Sequence, residues 1–241
     1  CDNGTGQDDA GLKAGFDALA PTIADKPHNI QKALFEKYLF ENGRLDVNEH
    51  DYFPCLYNWG RVVNHAIGKW RDAAGACPPD VAAWRGKAFA RGEMMQWPDY
   101  DHSVPDWDML FEKGYAGVLT DIRARLAAEK DGRKRAFYEA ESIAFEAALG
   151  WMKRARDYAL RQTHAKAAVT AESLTNLLAG APKTTLDVLM LVYLHFLFSE
   201  CVDSVQVRAT GSGLDHQLLP YFRRDLASGK FTKEQLGSFL A

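Results

Sequence analysis

Six residues near the middle of the chain, Asp101-His102-Ser103-Val104-Pro105-Asp106, gather an imidazole, two carboxylates and a hydroxyl into one short stretch. An imidazole changes charge near neutral pH, and carboxylates beside it can orient it or trade protons with it. Pro105 fixes its own φ and Asp106 stands where a helix N-cap belongs, which gives His102 a fixed address just outside a helix N-terminus. From there it either faces a cavity or makes one turn-stabilising hydrogen bond. Arg208 is the second group of interest. In Val205-Gln206-Val207-Arg208-Ala209 it falls on the strand face opposite the valines, where its planar fork could bind a substrate carboxylate or close a salt bridge at a rim. Asp101 and Asp203 are substrate-side candidates of the same kind.

These groups need elements to hold them. After Asp106, apolar Leu110, Phe111, Val118, Leu119, Ile122 and Leu126 recur at helical spacing, predicting a helix over 106–129. Residues 1–10 are polar and read as a mobile lead-in to a short helix carrying Leu12, Phe16 and Leu19 up to the breaker Pro21. A firmer helix runs from Pro27 through Glu41, with Ile30, Leu34, Phe35, Tyr38 and Leu39 on one face and Asn42-Gly43 as its stop. Residues 44–105 are rich in aromatics, prolines and glycines and predict irregular structure. Such a segment either lines a site or wraps another part of the molecule, or its rings fill gaps between helices.

The remainder predicts helices. Phe137, Ala140, Ala144, Ala147, Trp151, Ala155 and Tyr158 alternate steps of three and four, the seam of a long packed helix after the turn at Asp131-Gly132. The next helix spans about Thr170 to Leu178 and stops at Gly180. Thr184 and Asp187 form an acidic variant of the capping box ahead of the apolar run Val188 to Phe198, and Thr232 and Gln235 form another near the end. Between them, 204–210 alternates as a short strand, and a helix is expected from Leu214 to Leu226. The last helix has only begun when the sequence stops, the reading of a chain cut rather than finished.

Composition narrows the function classes. Of 241 residues 47% are hydrophobic, enough for a substantial core in one large or two small domains. A formal net charge of −3 from 29 basic and 32 acidic residues gives no basic excess, so nucleic acid is not an expected partner. The 11-residue apolar run, interrupted by His195, is far too short to span a membrane. Cys1, Cys55, Cys77 and Cys201 are scattered, with no C-x-x-C pair, and fit reduced thiols in a cytoplasmic protein. Cys1 itself permits two readings, a fragment start or a lipidated N-terminus. No Ser-His-Asp order, H-E-x-x-H pair, P-loop or dinucleotide fingerprint occurs.

Four stretches, taken in order, resemble one family, the glycyl radical enzymes with their pyruvate formate-lyase-like domain. Lys26 to Trp70 is similar to the helical entry of such enzymes. Asp101 to Ile122 resembles G-H-x-x-P-D-Y-E-K-x-L-x-x-G-L-x-G-I, matching at His102, Pro105, Asp106, Gly114 and Gly117, with Asp101 in place of the first glycine. Arg135 to Ala140 resembles K-R-x-F-Y-E-A. Gly211 to Phe222 resembles L-G-R-F-D-Q-Y-L-Y-P-Y-Y, matching at Asp215, Pro220 and Tyr221, with Gly213 in place of the arginine.

The resemblance implies a mainly α fold: the helical N-terminal part of a glycyl-radical-type α/β barrel, with at most one or two short strands, over residues 26–241 as a single domain behind a 1–25 lead-in. It implies a backbone glycyl radical, installed by a radical SAM activating enzyme, that passes its spin to a cysteine. The resulting thiyl radical acts on a small-molecule substrate in a radical lyase or dehydratase reaction, and a homodimer is an assembly such a chain could form. The family's G-C-x-x-P-like cysteine loop and R-V-x-G-Y-like glycine loop have no counterpart here. Cys77 precedes the His102 stretch where the family's cysteine follows the D-Q-Y stretch, so it is not a substitute. The resemblance carries His102 over as a residue facing substrate. Val207 and Arg208 stand where some dehydratases have a His-Ser pair, so substrate does not carry over. No catalytic residue and no metal ligand is assigned. Besides a catalytic portion, the chain reads as a non-catalytic binding module derived from the family, or as a surface lipoprotein anchored at Cys1.

Overall fold

The computed structural model describes residues 4–56, 62, 65, 78–93, 104–203 and 213–240, with the side chains of 200–203 excepted. Nine helices and one two-stranded antiparallel sheet are found among them. In chain order these are α1 (Asp9–Thr22), α2 (His28–Asn42), β1 (Leu45–Asp46), β2 (Cys55–Leu56), α3 (Pro79–Ala90), α4 (Trp107–Ala128), α5 (Gly132–Ala159), α6 (Ala165–Ala179), α7 (Thr185–Asp203), α8 (Leu214–Ser228) and α9 (Lys233–Ser238). The strands pair Leu45 with Leu56 and Asp46 with Cys55.

The 28-residue α5 is the central post, with α2, α4 and α6 packed on it and α7 packed on α6, α8 and α2. Its buried stripe, Ala140, Ala147, Ala148, Trp151, Met152, Ala155 and Tyr158, follows the predicted seam closely. Small residues there let neighbouring helices approach, and Trp151, fully buried, fills the space they leave. Phe137 departs from the seam, being 52% exposed. Arg154 ties the post to α2: its guanidinium donates to the carbonyl of Phe40 and, at 3.0 Å, to that of Gly43. Those are orphan acceptors at a helix end, and a charged fork satisfies both at once.

Three helix starts fall at polar residues that cap them. Asp106 accepts from Met109 N at 3.0 Å to open α4, Asp131 accepts from Lys134 N at 2.9 Å to open α5, and Thr232 and Gln235 close a full capping box on α9. Four expectations are corrected. Pro21 does not end α1 but sits in its last turn, where the single bond its missing N–H withholds falls at the end of a helix that stops one residue later. Within the polar start, Thr5 and Gln7 are bonded to the fold, donating to the carbonyls of Leu45 and Asn42 at 2.9 and 2.8 Å. The 44–105 segment holds β1, β2 and α3, the last opened by Pro79 at a first-turn position. The 106–129 helix is bent: Gly114 leaves the helical region at φ 61°, ψ 176°.

The described part of 44–105 wraps other elements. Val47 O contacts His164 Nε2 at 3.1 Å, Lys166 donates to His50 O, Thr170 to Tyr52 O and Tyr193 to Pro54 O. The rings of Tyr52 and Phe53 pack on Phe239 and Tyr193. A strap across the start of α6, the middle of α7 and the end of α9 results. No helix among the described residues is long and apolar enough to cross a membrane.

Candidate functional site

The residues singled out by sequence reasoning lie at the margin of the description. Asp101, His102 and Arg208, and with them the expected 204–210 strand, fall outside the described residues, and Asp203 is the last residue of α7 with its side chain outside them. What the structure places is the framework on which those positions are strung.

Chain segments bordering both stretches come together. Trp107, the first residue of α4 and five residues beyond His102, is buried and packs edge-on against His195 and Phe196 of α7, with centroids 5.4 and 5.8 Å away. One residue on, Asp108 accepts from Gln217 Nε2 of α8 at 2.8 Å. Phe111 meets the Tyr221 ring at 6.3 Å. The chain entering α4, the second half of α7 and the first turns of α8 therefore share one contact region.

His195 is the titratable group at its heart. Its Nδ1 lies 3.0 Å from the hydroxyl of Tyr115, which stands on α4 just past the Gly114 bend. Burial pushes the Tyr115 phenol up, with Glu36 adding to the effect, so it keeps its proton and is the natural donor. Nδ1 then accepts and the ring proton sits on Nε2. Burial also pushes His195 down to about 4, so the imidazole is neutral at physiological pH. A neutral imidazole, its ring locked by a phenol and two aromatic faces, can position or exchange a single proton through Nε2. Sequence reasoning met His195 only as an interruption of an apolar run. Tyr115 lies 80 positions away, and nothing in either local pattern announces the pair.

Beside this region, Asp108, Phe111, Glu112, Pro182, Gln217, Pro220, Tyr221 and Arg224 line an open groove of about 560 Å³. Arg224 lies over the Tyr221 ring at 5.0 Å and donates to Lys183 O. Aromatic walls with charges of both signs suit a small polar molecule.

The shape of α4 has a specific cause. A Cβ on Gly114 would lie 2.2 Å from the carbonyl oxygen of Gly180, the residue that ends α6. Only glycine tolerates both that approach and that backbone conformation. Two of the glycines that sequence reasoning matched to a pattern thus have different standing: Gly114 is demanded by φ and space, whereas a Cβ at Gly117 would meet only the Lys113 side chain of its own helix.

The sequence model of the pyruvate formate lyase-like family matches residues 71–241. The chain belongs to that family. As a pyruvate formate lyase-like chain it also shares a fold with solved glycyl radical enzymes. The hydroxyproline dehydratase of Clostridioides difficile superposes with a TM-score of 0.74 at 20% identity, over 98% of this chain and 36% of that one. A glycyl radical enzyme of Archaeoglobus fulgidus gives 0.68 at 18% identity, over 95% of this chain and 37% of that one. The B12-independent glycerol dehydratase of Clostridium butyricum gives 0.64 at 13% identity, over 98% and 39%. The pyruvate formate lyase-like chain therefore spans under two fifths of the length of these structures. No curated protein matches it. The expected fold, mainly α with short strands and the helical portion of a glycyl-radical-type barrel, is the fold observed.

Proposed function

We propose that this chain is the helical portion of a radical lyase or dehydratase acting on a small polar metabolite, and that it works together with polypeptide carrying a thiyl cysteine loop and a glycyl radical loop. The observation that carries the reading is the shared contact region: Trp107, His195 and Gln217 join the borders of the two stretches that hold His102 and Arg208. A thiyl radical that takes a hydrogen atom from substrate becomes a thiol and leaves a substrate radical that oxygen and bulk solvent would divert, so the reaction needs a rigid, closed wall around it. Packed helices held by buried aromatic contacts supply such a wall. His102, with Asp101, would face the substrate, and Arg208 and Asp203 would bind its polar groups. Radical storage would depend on a radical SAM activating enzyme, and the assembly, cytoplasmic and dimeric in this reading, would suit anaerobic metabolism.

The test is to express the complete natural reading frame anaerobically with a radical SAM activating enzyme and record its electron paramagnetic resonance spectrum. A glycyl radical doublet with turnover of a small polyol or hydroxylated amino acid supports the reading. A natural frame that encodes neither loop on either side of residues 1–241 overturns the catalytic version.

A second reading, a non-catalytic binding module derived from the same family, is favoured by the groove at Phe111 and Tyr221, which the chain forms from its own residues. It requires the isolated chain to melt in one sharp transition with little dye binding to apolar surface.

A further inference from the structure

Two carboxylates of different origin serve the start of α7. Asp187 Oδ2 accepts from the backbone N–H of Lys183 and Thr184, each at 3.0 Å, and from Asn176 Nδ2 at 3.1 Å. Asp225, reaching across from α8, accepts from Thr185 N at 2.5 Å. The other oxygen of Asp187 has a different situation. Asp187 is completely buried, yet its Oδ1 has no protein hydrogen-bond partner among the described residues, and the same holds for the hydroxyl of Ser173, only 2% exposed, on the facing helix α6. Burial pushes the Asp187 carboxyl up, and the Ser173 hydroxyl close beside it works the other way, although the two do not meet in full hydrogen-bond geometry.

Both residues line one small cavity, together with Val169, Glu172, Asn176, Thr184, Leu186, Lys230 and Phe231. Its volume of about 10 Å³ is that of a single water-sized probe. We propose that this cavity is a binding site for one ordered water molecule, which donates to Asp187 Oδ1 and accepts from Ser173 Oγ. Two buried oxygens with unused capacity, one a carboxylate, are the partners such a water needs. A metal cation is a poor occupant, because the site lies at the positive end of the 19-residue α7 and is lined by Lys230. The half-exposed ion pair of Lys230 with Glu172, 2.6 Å apart, stands on the outer side of the cavity and controls how often the water exchanges. The water would steady Asp187, whose other oxygen accepts from the backbone at the start of α7, the helix that carries His195.

A crystal structure of the 241-residue chain at a resolution that shows solvent should reveal a peak within hydrogen-bond distance of both Asp187 Oδ1 and Ser173 Oγ. Water-oxygen magnetic relaxation dispersion should count one long-lived internal water fewer in Ser173→Thr, whose extra methyl fills the space, with a melting temperature lowered by about 2–4 °C. Glu172→Gln should leave the count unchanged and shorten the residence time. A direct Ser173–Asp187 hydrogen bond with no peak, a metal-like peak with anomalous signal, or a Ser173→Thr variant with the same water count and melting point would each overturn the proposal.

Discussion

Gly114 and Gly180 touch backbone to backbone, so that the bend in α4 is built around the carbonyl that terminates α6. Gly114→Ala places a methyl against an oxygen that cannot move without unwinding α6, and adds the strain of a conformation open essentially to glycine alone. A loss of about 3 kcal/mol or more is expected in urea melts. Gly180→Ala meets no atom within 4 Å and bears only the strain of its φ of 149°, so it should cost about 1–2 kcal/mol. Equal losses for the two would contradict this account.

The His195 imidazole should not titrate between pH 7 and 5 when followed by its ring proton resonances, because burial holds it near 4. An unfolded histidine titrates near 6.5, so in the window from about 6.5 down to 4 the unfolded chain binds the proton that the folded chain refuses. Stability from this group is complete above pH 6.5 and falls as pH falls through the window, by up to about 1.4 kcal/mol per pH unit. Replacing His195 with Gln should flatten that part of the stability profile.

Tyr115→Phe removes the donor to Nδ1 and leaves the burial of the ring intact. Stability at pH 8 should drop by about 1–3 kcal/mol, the cost of an orphaned buried acceptor, while His195 stays neutral at pH 6. Calorimetry with ring proton spectra separates the two effects. A His195 that recovers ordinary titration in this variant would show that the phenol, rather than burial, controls it.

Arg154 serves two carbonyls at the end of α2 from a half-buried position. Arg154→Ala should cost about 2–3 kcal/mol by denaturant melts, and Arg154→Lys should recover less than half of that, because an ammonium cannot reproduce the fork.

Under the proposed radical lyase or dehydratase reading, His102→Gln and Arg208→Lys in the full natural reading frame should each lower kcat/KM by about two orders of magnitude, the scale for losing a positioned polar contact, without changing the radical yield. A loss of radical in either variant would assign those residues to activation or folding instead.

Capping chemistry made much of the fold legible. Asp106, Asp131, Thr184 and Thr232 each mark a helix start by a side chain that can satisfy a backbone donor three residues on, and that bond is local enough to be read from sequence. The seam of α5 was legible because a long helix samples its buried face many times. Phe137 misled because α2 packs instead on its neighbours Ala136 and Ala140, leaving its ring 52% exposed. Helix α3 escaped notice because it buries little more than Ala88, leaving Val81, Trp84 and Phe89 exposed, so no apolar period develops. Two-residue strands are too short to alternate. The Gly114 bend, the Tyr115–His195 contact and the reach of Asp225 to Thr185 depend on partners 40 to 80 positions away, which no local pattern encodes. Of the candidate site, the positions His102, Asp101, Arg208 and Asp203 came from sequence, and the structure adds the contacts of Trp107 with His195 and of Asp108 with Gln217.

The bend in α4 divides its labour. Ahead of Gly114, Trp107, Asp108 and Phe111 answer to α7 and α8; behind it, Arg123 answers to α5 through Glu146, and Tyr115 touches both α5, through Phe145, and α7, through His195. One unbroken rod would have to compromise between these neighbours, and any drift in the α5 surface would swing its front end. With the joint in place, the front of α4 can keep Trp107 against α7 while the rear follows the surface of α5.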